Sequence, residues 1–270
     1  MIQRREPCGH AAPGDVLLAL LALAGILALL LAAPGSLLDR ADRVACAVCH
    51  RIPERTFTVA GRPLPLCARC SGTYLAALAG FVVLLLRGRG RTGHLPAPKH
   101  LAVLGGFLLI WAVDGLNSYL TFFPGLPHLY EPTNLLRLAT GTLEGLVLSA
   151  LMLPVFNLSL WAEPAPRPVV ENWGDLAWLL VGGAIVVGLV SSGWAPLLYP
   201  LALTSTLMVV ILFGIVNGVV LVTLLRREGR ARGWHEVAAP LLLGLMLALV
   251  ELGAIAALRT FLTARLDLPF

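Results

Sequence analysis

Apolar residues in this chain gather into long runs separated by short polar stretches. The runs fall at Val16–Ala33, Gly72–Leu86, Leu101–Phe122, Leu138–Leu160, Leu176–Val190, Leu201–Leu225 and Ala238–Leu258. Each comes near the roughly 20 residues that an α-helix needs to cross about 30 Å of hydrocarbon. None alternates apolar and polar residues as a half-buried strand would. In lipid every backbone polar group must be paired within the protein, and helices do this within one segment. The pattern therefore predicts an all-α polytopic membrane helical bundle of about seven transmembrane helices. The whole chain, 1–270, reads as one membrane domain, with a cysteine-rich loop at 34–71 between the first two spans. Gly72–Leu86 is short, and Ser71 and Gly72 read as its cap. Trp161–Asp175, with Pro164, Pro166 and Pro168, reads as a stiff connector.

Composition agrees. The chain is 58% apolar and 13% charged, with a mean hydropathy of +0.84. Soluble domains carry about 25% charged residues, so the solvent for this surface is lipid. The first run follows a short basic stretch, Met1 to His10, as a signal peptide would. Its length, about 18 residues, suits a retained helix better. The net charge of +5 comes mostly from arginines scattered between the runs. They form no aromatic-interleaved patch, which argues against nucleic acid as a partner. Arg4 and Arg5, then Arg87, Arg89, Arg91 and Lys99, then Arg226, Arg227, Arg230 and Arg232 mark three segments on one side. The positive-inside rule makes that side cytoplasmic. The expected location is a cell (inner) membrane, with the N-terminus inside and the cysteine loop and C-terminus outside. The arginines of that loop, from Arg40 to Arg69, run against the rule.

The loop carries two Cys-x-x-Cys pairs, Cys46 with Cys49 and Cys67 with Cys70, with seventeen residues between them. Such spacing suits a two-knuckle zinc site, because each turn presents its sulfurs to one side. Gly61 and Pro63 between the pairs suit a hairpin turn. His50 opens alternatives. Cys46-Ala47-Val48-Cys49-His50 is also the attachment pattern of haem c. Cys49, His50, Cys67 and Cys70 form another possible zinc set. Plain disulfides or redox-active thiols are a further reading. Cys8 stands apart as a lone thiol.

Cys49-His50-Arg51-Ile52-Pro53-Glu54-Arg55-Thr56-Phe57, Pro65-Leu66-Cys67-Ala68-Arg69-Cys70-Ser71-Gly72-Thr73-Tyr74, Asp114-Gly115 and Asn134-Leu135-Leu136-Arg137-Leu138-Ala139-Thr140-Gly141 together resemble a bacterial and archaeal multi-pass membrane family. That family is the domain of unknown function numbered 2085, and the resemblance spans about Ala45–Gly145. It implies a membrane location and no particular activity. The family pattern begins at the Cys-His pair and does not require a cysteine at position 46.

Ionisable residues inside spans are expensive and mark candidate functional sites. Asp114 and Asn117 lie in the third span, and Asn134, Arg137 and Glu144 at or in the fourth. Glu251 lies in the seventh. Asp114 is expected to pair with Arg137 across neighbouring helices. Thr140, Gly141 and Gly145 make a small-residue face suited to close helix packing. No Ser-His-Asp order, phosphate loop, His-Glu-x-x-His or dinucleotide fingerprint occurs. The expectation is a non-enzymatic membrane protein with a structural metal, zinc rather than haem c, acting with other membrane protein subunits. The alternative is a redox or transport protein that uses the cysteine pairs or the Asp114–Arg137 pair. The loop is expected to pack on the outer ends of the first four helices, with Arg55 and Arg69 finding partners near Glu131.

Overall fold

The computed structural model describes residues 13–32, 34–123 and 125–266. Among them run eight α-helices: α1 (Pro13–Ala32), α2 (Leu37–Val48), α3 (Ala68–Leu86), α4 (Pro98–Leu120), α5 (Asn134–Leu160), α6 (Trp173–Ser191), α7 (Leu198–Leu224) and α8 (Trp234–Leu266). Six of these, α3 to α8, are long and apolar enough to cross a membrane, and α1 adds a shorter apolar segment, Val16–Leu29. The expected bundle is present, with its spans mostly extended by a few residues. Cys8, Arg4 and Arg5 lie outside the described residues.

The second span departs most from expectation. Its helix starts at Ala68 with Cys67 as its cap, so Cys70 sits inside the helix rather than before it. The loop is also more ordered than its polar composition suggests. It contains α2, whose Ser36 and Asp39 form a reciprocal capping box. Leu38, Ala41 and Ala45 form its buried face, which packs against α7 and α8. Strands β1 (Thr58–Val59) and β2 (Arg62–Pro63) then make a hairpin. Its turn residues Ala60 and Gly61 have φ of 51° and 76°, the left-handed pair that a tight hairpin requires.

Helices α3 and α5 form the central contact of the bundle. A Cβ on Gly141 would strike the Arg69 carbonyl, and one on Gly145 the Thr73 carbonyl. From the other side, a Cβ on Gly72 would strike the Leu138 carbonyl. Small residues let the two backbones approach this closely, as the small-residue face of the fourth span predicts.

The two ends of the bundle differ in chemistry. At one end the cysteine loop meets the α4–α5 connection and the C-terminal part of α8. At the other, β3 (Thr92–His94) pairs with β4 (Ala165–Pro168), so the proline-rich connector is a short parallel strand. Asp175, fully buried at the start of α6, there accepts from Arg87 Nε at 3.1 Å and an Arg89 guanidinium nitrogen at 2.8 Å.

Candidate metal centre

The site is assembled from the two edges of the cysteine loop. Cys49 caps the C-terminal end of α2, and Cys67 and Cys70 open α3. These three sulfurs lie within 4.8 Å of one another. The described cysteines Cys46, Cys49, Cys67 and Cys70 are all free thiols. Cys46 is half-buried on the last turn of α2 and His50 is exposed; neither joins the three-sulfur cluster.

Local backbone geometry presents these sulfurs. Arg51 holds φ at 54°, an uncommon left-handed conformation for a side chain of its size. It turns the chain so that the Arg51 amide donates to Cys49 Sγ at 3.5 Å, and the Cys67 amide donates to the same sulfur at 3.3 Å. Donors aimed at a sulfur favour its anionic form. The strained turn is held by the Arg51 side chain, which donates to Asp42 at 2.7 Å and to the Pro65 carbonyl at 3.1 Å. From α8, the Arg259 guanidinium donates to the carbonyls of Cys46 and Cys49, the last acceptors of α2. Hydrogen bonds from Cys49 and Cys70 hold Cys67 below the ordinary thiol range, and sharing that proton with Cys67 raises Cys49. The positive end of α3 acts in the same sense on Cys67.

The loop docks on α3, α4 and α5 as expected, but α2 packs on α7 and α8 where the first helix was expected, because α1 lies against α8 instead. Val59, Leu64 and Leu66 are buried. Arg55 donates to Thr121 Oγ1 at 3.1 Å and lies 4.0 Å above the Phe122 ring. Asn134 donates to the Glu54 carbonyl at 3.0 Å. Glu131 instead takes His128, at 2.8 Å.

The expected Asp114–Arg137 ion pair does not form. Asp114 pairs with Arg69, whose guanidinium also reaches Ser118 Oγ at 3.2 Å. Thr140 and Tyr130 hydroxyls donate to the remaining Asp114 positions at 3.0 and 2.9 Å. The reason is the tight α3–α5 contact, which brings the first turn of α3 level with the last two turns of α4. Arg137 donates to Asn134 Oδ1 at 3.0 Å. Asn117 ties down the α4–α5 connection through the Leu129 amide and Tyr130 carbonyl. Glu144 accepts from Thr73 at 2.7 Å, and Glu251 from Asn217 at 3.2 Å. Sequence reasoning missed Arg69 as the partner of Asp114, and Arg259. No spacing signal links them, because they lie 45 and 210 residues from their partners.

A cavity of about 270 Å³ opens beside the three sulfurs. Its wall includes Arg51, Arg55, Arg69 and Arg137, and no carboxylate.

The family of predicted membrane proteins called DUF2085 matches residues 49–151. That stretch includes Cys49, Cys67, Cys70, Arg69, Asp114 and Arg137, and begins after Cys46. An uncharacterised protein of Methanothermobacter thermautotrophicus is 34% identical over 105 residues, 38% of this chain and 83% of that protein. An uncharacterised protein of Methanocaldococcus jannaschii is 30% identical over 109 residues, 40% of this chain and 64% of that protein, so the match spans under two thirds of that relative. No solved structure matches the chain.

Proposed function

This chain belongs to the family of predicted membrane proteins DUF2085, and on that premise we propose that its Cys49, Cys67 and Cys70 hold a zinc ion. The carrying observation is the convergence of three free sulfurs within 4.8 Å. Thiolates bind zinc at about 2.3 Å, which in a tetrahedron separates the sulfurs by roughly 3.8 Å. The cluster fits that geometry with small side-chain adjustments. The amide donors to Cys49 and the clamp from Arg259 are the kind of outer support that orients ligands around a metal. Bound zinc would supply a link between the end of α2 and the start of α3, tying the loop to the bundle. The fourth position would face the cavity, where His50 also lies at the wall.

We read the protein as a subunit or assembly factor of a membrane complex rather than an enzyme. The metal-bearing end faces outward from a cell membrane, and the end holding Arg87, Arg89 and Arg226 faces the cytoplasm.

Elemental analysis of the full chain purified in detergent tests the metal. The expected result is about one zinc per chain, retained in Cys46→Ser and lost in Cys67→Ser. A Soret band, or a metal-free protein with its cysteines in disulfides, overturns the reading.

A further inference from the structure

The cavity wall carries more positive charge than its neighbours neutralise. Arg51 pairs with Asp42, and Arg69 with Asp114. Among the described residues, Arg55 and Arg137 have no carboxylate at ion-pair distance. Arg137 is only 7% exposed, and its Nε is buried with no hydrogen-bond partner. The Nε of Arg69 is buried and unpartnered in the same way. Burial, and next the charge of Arg69, hold Arg55 below its ordinary value.

A buried cation such as Arg137 without a counter-charge costs several kcal/mol in effective terms, and the partly buried Arg55 adds a second positive charge to the same wall, so this arrangement calls for an anion. Zinc alone does not meet the need. A zinc ion with three thiolates carries one negative charge, against two unmatched guanidiniums. With protonated thiols the excess is larger. The space is built for an occupant, since about 270 Å³ greatly exceeds the roughly 30 Å³ share of one water molecule. Guanidinium forks match the planar or tetrahedral oxygens of an oxyanion, which they bind bidentately. The lining also includes apolar and aromatic side chains, Ile52, Tyr119 and Phe122, with the Phe122 ring against the Arg55 guanidinium. Tyr119 and Phe122 are also exposed at the end of α4.

We propose that this cavity binds a phosphate group between Arg55 and Arg137, beside the three-cysteine cluster. Arg69, fixed by Asp114 and Ser118, completes the cationic wall without having to move. The apolar lining and the volume leave room for whatever the phosphate is attached to. A free phosphate and a phospholipid headgroup share this chemistry. The site stands on the arginines, and zinc is not required for it.

The test uses the full chain in a phosphate-free maltoside detergent, with zinc content measured on every sample. Binding is read by titration with inorganic phosphate, and by native mass spectrometry with phosphatidic acid against phosphatidylcholine. The variants are Arg55→Gln, Arg137→Gln and Arg137→Lys, with Arg62→Gln as a loop control outside the cavity. A charge-assisted hydrogen bond contributes about 1.5–3 kcal/mol, so each Gln variant should weaken binding roughly ten-fold or more. Arg62→Gln should match the wild type, and Arg137→Lys should fall between. Arg55→Gln, on the half-exposed loop, keeps the test decisive if Arg137→Gln does not fold. Saturation by phosphate assigns a free ligand; selective retention of phosphatidic acid alone assigns a lipid headgroup; either supports the proposal. Absence of binding to both, or equal binding by all variants, overturns it. Binding that persists in zinc-free protein supports the anion site while removing the metal reading, so the two can fail separately.

Discussion

Gly141 in α5 faces the backbone carbonyl of Arg69 in α3 with no space between them for a side chain. The contact does two things at once. It lets the two central helices pack backbone to backbone, and it sets the height at which Arg69 leaves α3 to meet Asp114 on α4. Gly141→Ala should therefore lower thermal stability in detergent by about 1–3 kcal/mol or more, the range for forcing atoms into a packed interior. Gly105→Ala is the matched control, because a Cβ there meets nothing within 4 Å. Equal melting temperatures for the two variants would show that the helices separate freely.

The Asp114–Arg69 pair is nearly dry on the carboxylate side, with the Asp114 side chain 1% exposed and that of Arg69 20% exposed. Removing one partner of such a pair costs about 3–5 kcal/mol, and the partial exposure of Arg69 places this case at the lower end. Asp114→Ala should be the more damaging change, since it strands Arg69 and also the hydroxyl donors Thr140 and Tyr130. Asp114→Asn keeps an acceptor and should lose less. A double variant with Arg69→Met should recover part of the Asp114→Ala loss in unfolding experiments. Additive losses would deny the coupling.

Arg259 reaches from α8 to the carbonyls of Cys46 and Cys49. Its role in the metal reading is to hold the end of α2 in place while Cys49 binds. Outer supports of this kind typically change metal affinity 10–100-fold. Arg259→Gln should loosen zinc by roughly ten-fold in competition with a coloured chelator, with little change in helix content. Unchanged zinc retention would show that the loop needs no brace from α8.

Chelation offers a fourth check. Metal that links Cys49 to the first turn of α3 should stabilise the folded chain, because the unfolded chain does not hold a preformed site. Chelator should lower the melting temperature of the wild type and of Cys46→Ser, and leave Cys67→Ser unmoved. A shift of the same size in Cys67→Ser would place the metal elsewhere.

The apolar runs alone determined the bundle. A span of about 20 apolar residues has few other stable forms in lipid, and the seven runs correspond to α1 and α3–α8. The hairpin at Gly61 and the close packing at Gly141 and Gly145 were also legible, since both depend on local residue types. The cysteine spacing pointed to a cluster of sulfurs and to its place in the loop. Its membership was a matter of tertiary structure: α2 ends at Val48, so Cys49 turns toward α3 while Cys46 stays on a helical turn. The partner of Asp114 was decided the same way. Sequence spacing made Arg137 the near candidate, but the glycine contact between α3 and α5 delivers Arg69 instead and leaves Arg137 at the cavity wall. Charge pairing inside a bundle follows the relative height of packed helices, and that height is set by contacts between residues far apart in the chain.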